Sequence, residues 1–409
     1  MTGAFGMKSH LVLLMSVATF CAAAGDPVRT KEAAAVLRNL CAFAQEGRFA
    51  YAWCHPWVEN APEFRRETPE GPVPKAASEI NLGKGFGRHV DKTPILYFTD
   101  FYFVTDETKP PETVARNRAS LAGMVRAAWR QYRSVPVFSW HPENPYVPKK
   151  WKDKKYGGAP YRYRYSSEGY PQEHRYVFRE ILAGDAFARG WYDRSIDAIA
   201  AFLRELKAED GTPIPCVVRL FHECEDDWQW WGRNSVSTAD YKAVFRLTVE
   251  TLRAKTGGGA HLLFAYSPDR YWKTVGSSNT PGDFLYRYPG DDVVDIVGHD
   301  DYSIGHEGKD EYAEKELAKS ILQCQLVSAF AQEHGKAAGL FETGVKGSRD
   351  DAYDYIYRVM TAPNVKYGFV CTWGGGYSMP ASEAGKACWR RFANRPEVVM
   401  YESGKHLVQ

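Results

Sequence analysis

The stretch "IPCVVRLFHE" (214–223) opens on apolar, β-branched residues and closes on a histidine and a glutamate. An apolar run of this length reads as a buried strand, and a polar pair at its carboxyl end reads as a site. Seven further runs share the form: "RFAYAWCH" (48–55), "PILYFTDF" (94–101), "VPVFSWH" (135–141), "HLLFAYSPD" (261–269), "VVDIVGHDDY" (293–302), "AAGLFETG" (337–344) and "YGFVCTWGG" (367–375). Helical patterns lie between them, at 114–132, 192–208, 238–255 and 312–334. Strands alternating with helices predict βα units on a parallel sheet. Eight such strands in 409 residues predict a single (β/α)8 barrel, of the α/β class, with long insertions in its βα loops. No linker, repeat or low-complexity tract marks a second domain, so residues 25–409 are expected to form one unit.

Charge and cysteine usage exclude several classes of function. With 52 basic against 50 acidic residues the net charge is +2, so no broad electrostatic footprint for nucleic acid is present. The main basic cluster, "PKKWKDKKY" (148–156), reads as a solvated loop. At the N-terminus Lys8 precedes the apolar stretch "LVLLMSVATFCAAA" (11–24), with small residues before Gly25, the pattern of a cleaved export signal over residues 1–24 and of a secreted or periplasmic protein. That stretch is shorter than the roughly 20 residues a membrane helix needs, and no later stretch is apolar enough to span. Phe20 is too bulky for a lipid-attachment box ahead of Cys21, so cleavage near Ala24 is expected rather than lipid anchoring. The remaining cysteines, Cys41, Cys54, Cys216, Cys224, Cys324, Cys371 and Cys388, are odd in number and scattered, with no CxxC pair. They argue against a disulfide framework and a zinc cage, leaving room for one bridge.

Catalytic groups of such barrels come from the carboxyl ends of the strands. Tyr51, His55, Asp100, Trp140, His141, His222, Glu223, Tyr266, Asp300, Tyr302, Glu342 and Trp373 all fall in or just after the apolar runs. A buried His or Tyr often only satisfies a neighbour's hydrogen bond, but polar or aromatic residues closing every run exceed what packing asks for. Glu223 ends the fourth run and Glu342 the seventh, so closing the barrel brings both to one mouth. Paired carboxyl groups are what glycoside hydrolysis requires: one protonates the leaving oxygen, and the other attacks the anomeric carbon or activates water. Different surroundings hold their pKa values apart. The tryptophans of "RLFHECEDDWQWWG" (219–232) then serve as stacking faces for pyranose rings and as an apolar wall that raises a neighbouring carboxyl pKa.

Competing chemistries find less support. "HECED" (222–226) is not the HExxH of a zinc protease. His222, His299 and Asp300 could gather a metal, but His299 alternates with Asp300 along a strand and faces the other way. No metal and no cofactor is therefore expected. No GxSxG elbow supports a serine hydrolase. "KTGGGAH" (255–261) lacks the ending of a phosphate loop and is expected to cap a helix before the fifth strand.

From about the first run to the last, the chain resembles glycoside hydrolase family 26, whose best-known members are endo-β-1,4-mannanases. The most specific element is His222-Glu223 followed by the aromatic cluster, similar to the family pattern around the general acid/base. "SWHPENP" (139–145), "YSPD" (266–269), "YPGDDVVDIVGHDDY" (288–302) and "FETG" (341–344) resemble further family segments in the same order. The resemblance implies a retaining mechanism with Glu223 as acid/base and Glu342 as nucleophile, and His222 where many related barrels carry Asn. It also implies that His141, Trp228, Tyr302 and Trp373 line the sugar subsite at the cleavage point, with Tyr302 near the nucleophile and Arg219 and Asp300 as supporting groups. The implied partner is a β-mannan polysaccharide or oligosaccharide; separately from the resemblance, a monomer is expected. Cys224 stands for the usual Met, Glu225-Asp226 for Asn/Asp-Gly and Gln229 for an aromatic residue. Two alternatives stay open: the same chemistry on mixed-linkage β-glucan or β-1,3-xylan, and a non-catalytic glycan-binding barrel, against which the intact glutamate pair counts. The Tyr- and Lys-rich insertion after the third strand (142–190) is expected to shape substrate approach.

Overall fold

All eight predicted runs form strands: β1 Phe49–Cys54, β2 Leu96–Asp100, β3 Val135–Ser139, β4 Cys216–Arg219, β5 Leu262–Tyr266, β6 Ile296–Asp300, β7 Ala337–Thr343 and β8 Phe369–Thr372. Each is hydrogen-bonded in parallel to the next, and β8 pairs back onto β1, so the sheet closes into a barrel. A further short strand, β9 (Val398–Val399), adds to the open edge of β1 near its start. The computed structural model describes residues 28–54, 92–107, 109–148, 159–225, 227–270, 284–305, 310–345, 349–374, 377, 380 and 382–408, with the backbone of a short ribbon at 65–66 and 73–74. The export signal (1–24) with Cys21, His55, Asp226 and most of the basic run 148–156 lie outside the described residues.

The helices around the barrel start where the sequence offers a cap. In α1 (Lys31–Gln45) the side chain of Thr30 accepts from Ala33 N, and α2 (Pro111–Tyr132) begins on a proline, which has no N–H to leave unpaired. Asp185 caps α3 (Ala186–Glu205) and Ser237 caps α4 (Thr238–Lys255). The remaining long helices are α5 (Asp310–Glu333), α6 (Ala352–Met360) and α7 (Glu383–Ala393). Helices α1, α6 and α7 were not anticipated from the sequence. After α4 the chain turns through Gly257, Gly258 and Gly259, all in the left-handed region that glycine tolerates, so "KTGGGAH" is the expected helix end. Among the described residues no helix is long and apolar enough to cross a membrane, and the seven described cysteines are unpaired.

The barrel interior below the mouth is aromatic. Phe98, Phe341 and Phe369, from β2, β7 and β8, meet edge-on or tilted with centroids 5.0 to 6.1 Å apart. Three rings fill this layer only because Gly298 and Gly339 stand opposite each other on β6 and β7. A methyl group at Gly298 would lie 2.0 Å from the carbonyl oxygen of Gly339 and 2.6 Å from the Phe341 ring. Gly298→Ala is expected to destabilise the fold by about 1–3 kcal/mol, the usual cost of overpacking. An unchanged denaturation midpoint would contradict that packing.

Candidate active site

The charged layer of the site rests on this aromatic floor, and Arg219 organises it. As the last residue of β4 it is fully buried, with its guanidinium 5.3 Å from the Phe341 ring centroid. It donates to Glu342 and to Asp300, to Ser267 Oγ at 2.6 Å and to Ser139 Oγ at 3.1 Å. Burial opposes its charge, but Asp300 and Glu342 outweigh that penalty and its pKa is raised.

Beyond Arg219 the chain leaves the sheet, four residues earlier than the sequence pattern suggested. Phe221 and Glu223 both adopt left-handed backbone conformations, with φ of 45° and 53°. Such conformations cost on the order of 1–3 kcal/mol each and persist only when neighbours over-determine them. Here Tyr241 donates to the Phe221 carbonyl at 2.9 Å, Trp231 Nε1 to that of His222 at 2.8 Å, and Glu223 N to that of Ser267 at 3.1 Å. Buried Arg287 reaches the carbonyls of Cys224, Trp231 and Val236. The tryptophans therefore divide. Trp230 and Trp231 are 1% and 0% exposed and act as scaffold, Trp230 Nε1 donating to Pro142 O at 2.8 Å. This corrects the expectation that all three indoles face sugar: of the three, only Trp228 lines the cleft, because hydrogen bonds to backbone carbonyls, Pro142 for Trp230 and His222 for Trp231, hold the other two inward.

The turn aims Glu223 across the mouth at Glu342 on β7. One carboxyl oxygen from each of Glu223, Asp300 and Glu342 lies within 4.8 Å of the others. Tyr302 donates to Glu342 Oε2 at 2.7 Å, while Arg219 holds Oε1. Burial, then the charge of Glu342, pushes the Tyr302 phenol well above its usual range, so it keeps the proton it donates. Burial followed by the nearby Asp300, Asp269 and Glu342 holds the Glu223 carboxyl well above the ordinary carboxylate range. Burial raises Asp300 likewise. By donor type the three carboxyl groups could attract a hard cation, but the Arg219 guanidinium already donates to two of them, and a metal would have to displace it. His299 points away, accepting from or donating to the Tyr367 hydroxyl at 2.8 Å, so it does not join His222 and Asp300.

The cleft has a volume of about 850 Å³. Glu223, Glu342, His141, His222, Trp228, Tyr302 and Trp373 all line it, as expected, with Arg219 and Asp300 packed beneath. Imidazoles of His141 and His222 meet at 3.0 Å between their Nε2 atoms. Burial, then Arg219 and His141, lowers the His222 pKa well below its usual value, which keeps that ring neutral. Other strand-end residues serve packing: Tyr51 bonds Thr372 Oγ1 at 2.5 Å, Tyr266 donates to Phe284 O at 3.1 Å, and Trp140 lies parallel to Trp191.

Several cleft residues were not singled out by sequence reasoning. Tyr161 and Arg162 come from the insertion after β3, Arg162 lying 4.9 Å over the Trp228 ring, so this excursion supplies part of the cleft wall. Asp269, Arg270 and Glu316 form a charged wall in which Arg270 donates to Asp301 and Glu316. Gln229 donates to Glu223 Oε2 at 3.0 Å. Its only signal was that it stands where the resembling pattern has an aromatic residue.

A closed parallel barrel with two carboxyl groups facing across a cleft at its strand ends defines a (β/α)8 protein with a glycosidase-type site. The chain belongs to glycosyl hydrolase family 26, whose sequence profile matches residues 87–346. It is 35% identical over 173 residues to a mannan endo-1,4-beta-mannosidase of Bifidobacterium adolescentis, which is 42% of this chain but 16% of that protein's length. Among solved structures it resembles GH26C from Muricauda sp., with a TM-score of 0.73 at 24% identity, covering 93% of this chain and 94% of that one. It also resembles a GH26 beta-mannanase from Bacteroides ovatus, with a TM-score of 0.70 at 21% identity over 93% and 98% of the two chains. These structural likenesses carry the fold.

Proposed function

We propose that the chain is a retaining glycoside hydrolase cleaving β-1,4-mannosidic bonds in mannan, galactomannan or glucomannan. The observation that carries this reading is the pairing of two carboxyl groups across the mouth, with an oxygen of Glu223 within 4.8 Å of an oxygen of Glu342. Retaining enzymes hold their carboxyl groups closer together, about 5–5.5 Å, than inverting enzymes, which leave roughly 6.5–9.5 Å for a water. In the first step Glu342 attacks the anomeric carbon while Glu223 gives its proton to the departing glycosidic oxygen. Arg219 and Tyr302 occupy one oxygen each of Glu342 and fix its attack direction. In the second step Glu223, now ionised, takes a proton from water, which attacks the same carbon and releases Glu342. The raised pKa of Glu223 suits a group that must begin protonated.

The substrate class follows from the family and from the mannanase names of its relatives. His141, His222, Trp228 and Trp373 supply polar and stacking contacts to the sugar at the cleavage point, and the enzyme acts as a monomer without a cofactor. Residues 1–24 direct export and are removed. The test is a product profile on galactomannan, glucomannan, mixed-linkage glucan and β-1,3-xylan, with proton NMR of the first products. Mannobiose and larger mannan oligosaccharides are expected from the first two, as the β-anomer. Activity confined to glucan or xylan would overturn the substrate, α-anomer first would overturn retention, and binding without cleavage would favour a glycan-binding barrel.

A further inference from the structure

Asp100 closes β2, and its two oxygens do different work. Oδ1 accepts the backbone N–H of Tyr102 at 2.7 Å and that of His141 at 3.3 Å, while Oδ2 bonds the Nδ1 atom of His141. Nε2 of His141 meets Nε2 of His222 at 3.0 Å. Asp100 and His141 are each 9% exposed and His222 is 1% exposed. An ionised carboxylate offers acceptors alone, so His141 carries a proton on Nδ1. A neutral His141 then presents a lone pair at Nε2, and the contact requires His222 to donate from its own Nε2. That leaves His222 Nδ1 as a bare acceptor, and among the described residues the buried Nδ1 has no hydrogen-bond partner. The opposite arrangement would strand an N–H there, and orphaned buried N–H groups are the rarer case.

We infer that Asp100 is a positioning residue: through His141 it fixes the tautomers of both imidazoles, so that the sugar meets one defined set of donors and acceptors beside Glu223. Both rings line the cleft, and the inference rests on the glycosidase reading above.

Asp100→Asn separates acceptor chemistry from shape. The two backbone N–H groups hold the amide oxygen in the place of Oδ1, which turns the NH2 group towards His141 Nδ1. That nitrogen must now accept, its proton moves to Nε2, and His222 must answer with a lone pair at Nε2 and a buried N–H at Nδ1. Both tautomers invert while side-chain volume and backbone contacts stay. In the serine-protease triad the same exchange leaves the geometry intact and lowers kcat about 10⁴-fold through the wrong tautomer. The histidines here orient the sugar and do not take the reacting proton, so a smaller loss of about 10- to 10³-fold in kcat is expected, with KM within about threefold.

The test uses the whole chain with ¹⁵N-labelled histidine, native and Asp100→Asn, with ring signals assigned by their loss in His141→Gln and His222→Gln. Native protein is expected to show a proton on Nδ1 of His141 and on Nε2 of His222. The variant should show both reversed, a melting temperature close to native, and the kcat loss on galactomannan. A native His141 proton at Nε2, or reversed tautomers with native kcat, overturns the inference. Asp100→Ser, which keeps an acceptor for the backbone but offers His141 Nδ1 no carboxylate, repeats the test if the Asn variant does not fold; a single native tautomer in that variant would also overturn it. The native spectrum needs no substrate, so inactivity on every β-glycan would sink the enzymatic reading without deciding the tautomers.

Discussion

Glu342→Ala is expected to abolish turnover of natural mannan and of activated aryl β-mannosides alike. Loss of a catalytic nucleophile costs on the order of 10⁴- to 10⁶-fold, and a good leaving group does not help when no covalent intermediate can form. The site makes the loss specific. Arg219 and Tyr302 each donate to one oxygen of Glu342, so the variant leaves two donors aimed at an empty volume. A small anion fits that volume. Azide is expected to restore part of the activity on the activated substrate and to give the α-glycosyl azide, because it attacks from the face that Glu342 occupied. Product stereochemistry by NMR checks this. Turnover within tenfold of native, or a β-azide product, would remove Glu342 from the nucleophile's position.

The fold was legible because each strand of the barrel is a short apolar run, and burial on both faces makes parallel strands read that way. The strand ends were less legible. "IPCVVRLFHE" looks extended to Glu223, yet β4 stops at Arg219 because Phe221 and Glu223 turn left-handed. Nothing in the residue types announces that turn, since its hydrogen bonds come from Tyr241, Trp231 and Ser267 elsewhere in the chain. Helix α1 was missed because it precedes the first strand, and α6 because its 9 residues offer only a short periodic pattern between the seventh and eighth runs.

The meeting of Glu223 and Glu342 was legible because carboxyl groups at the ends of the fourth and seventh runs must come together once the barrel closes. The division of labour among the tryptophans was not, because a sequence cannot say which indole N–H will be used by a backbone carbonyl. Tyr161 and Arg162 were hidden differently: the insertion "APYRYRY" (159–165) has several residues of equal promise, and only its path over the mouth selects two. Gln229 shows the same limit, since its amide matters through the 3.0 Å contact with Glu223.

Glu223→Ala is expected to lower turnover of natural mannan about 10²- to 10⁴-fold, the usual loss when a general acid is removed. The reason lies in the leaving group: a sugar alkoxide must be protonated as it departs. An aryl mannoside with an acidic phenol needs no such proton, so its first step stays fast while the second, which needs Glu223 as base, becomes slow. The glycosyl-enzyme should then accumulate and release phenol in a burst, and azide should relieve the block by forming the β-glycosyl azide. The pH dependence sharpens the assignment. Burial and the neighbouring Asp300, Asp269 and Glu342 hold the Glu223 carboxyl high, so the acid form survives above the ordinary carboxylate range. The alkaline limb of kcat/KM on natural substrate therefore reports its loss of the proton. With the activated aryl mannoside that limb should vanish in Glu223→Ala. A limb that persists unchanged there would assign it to another group, and a burst seen in Glu342→Ala instead would exchange the two roles.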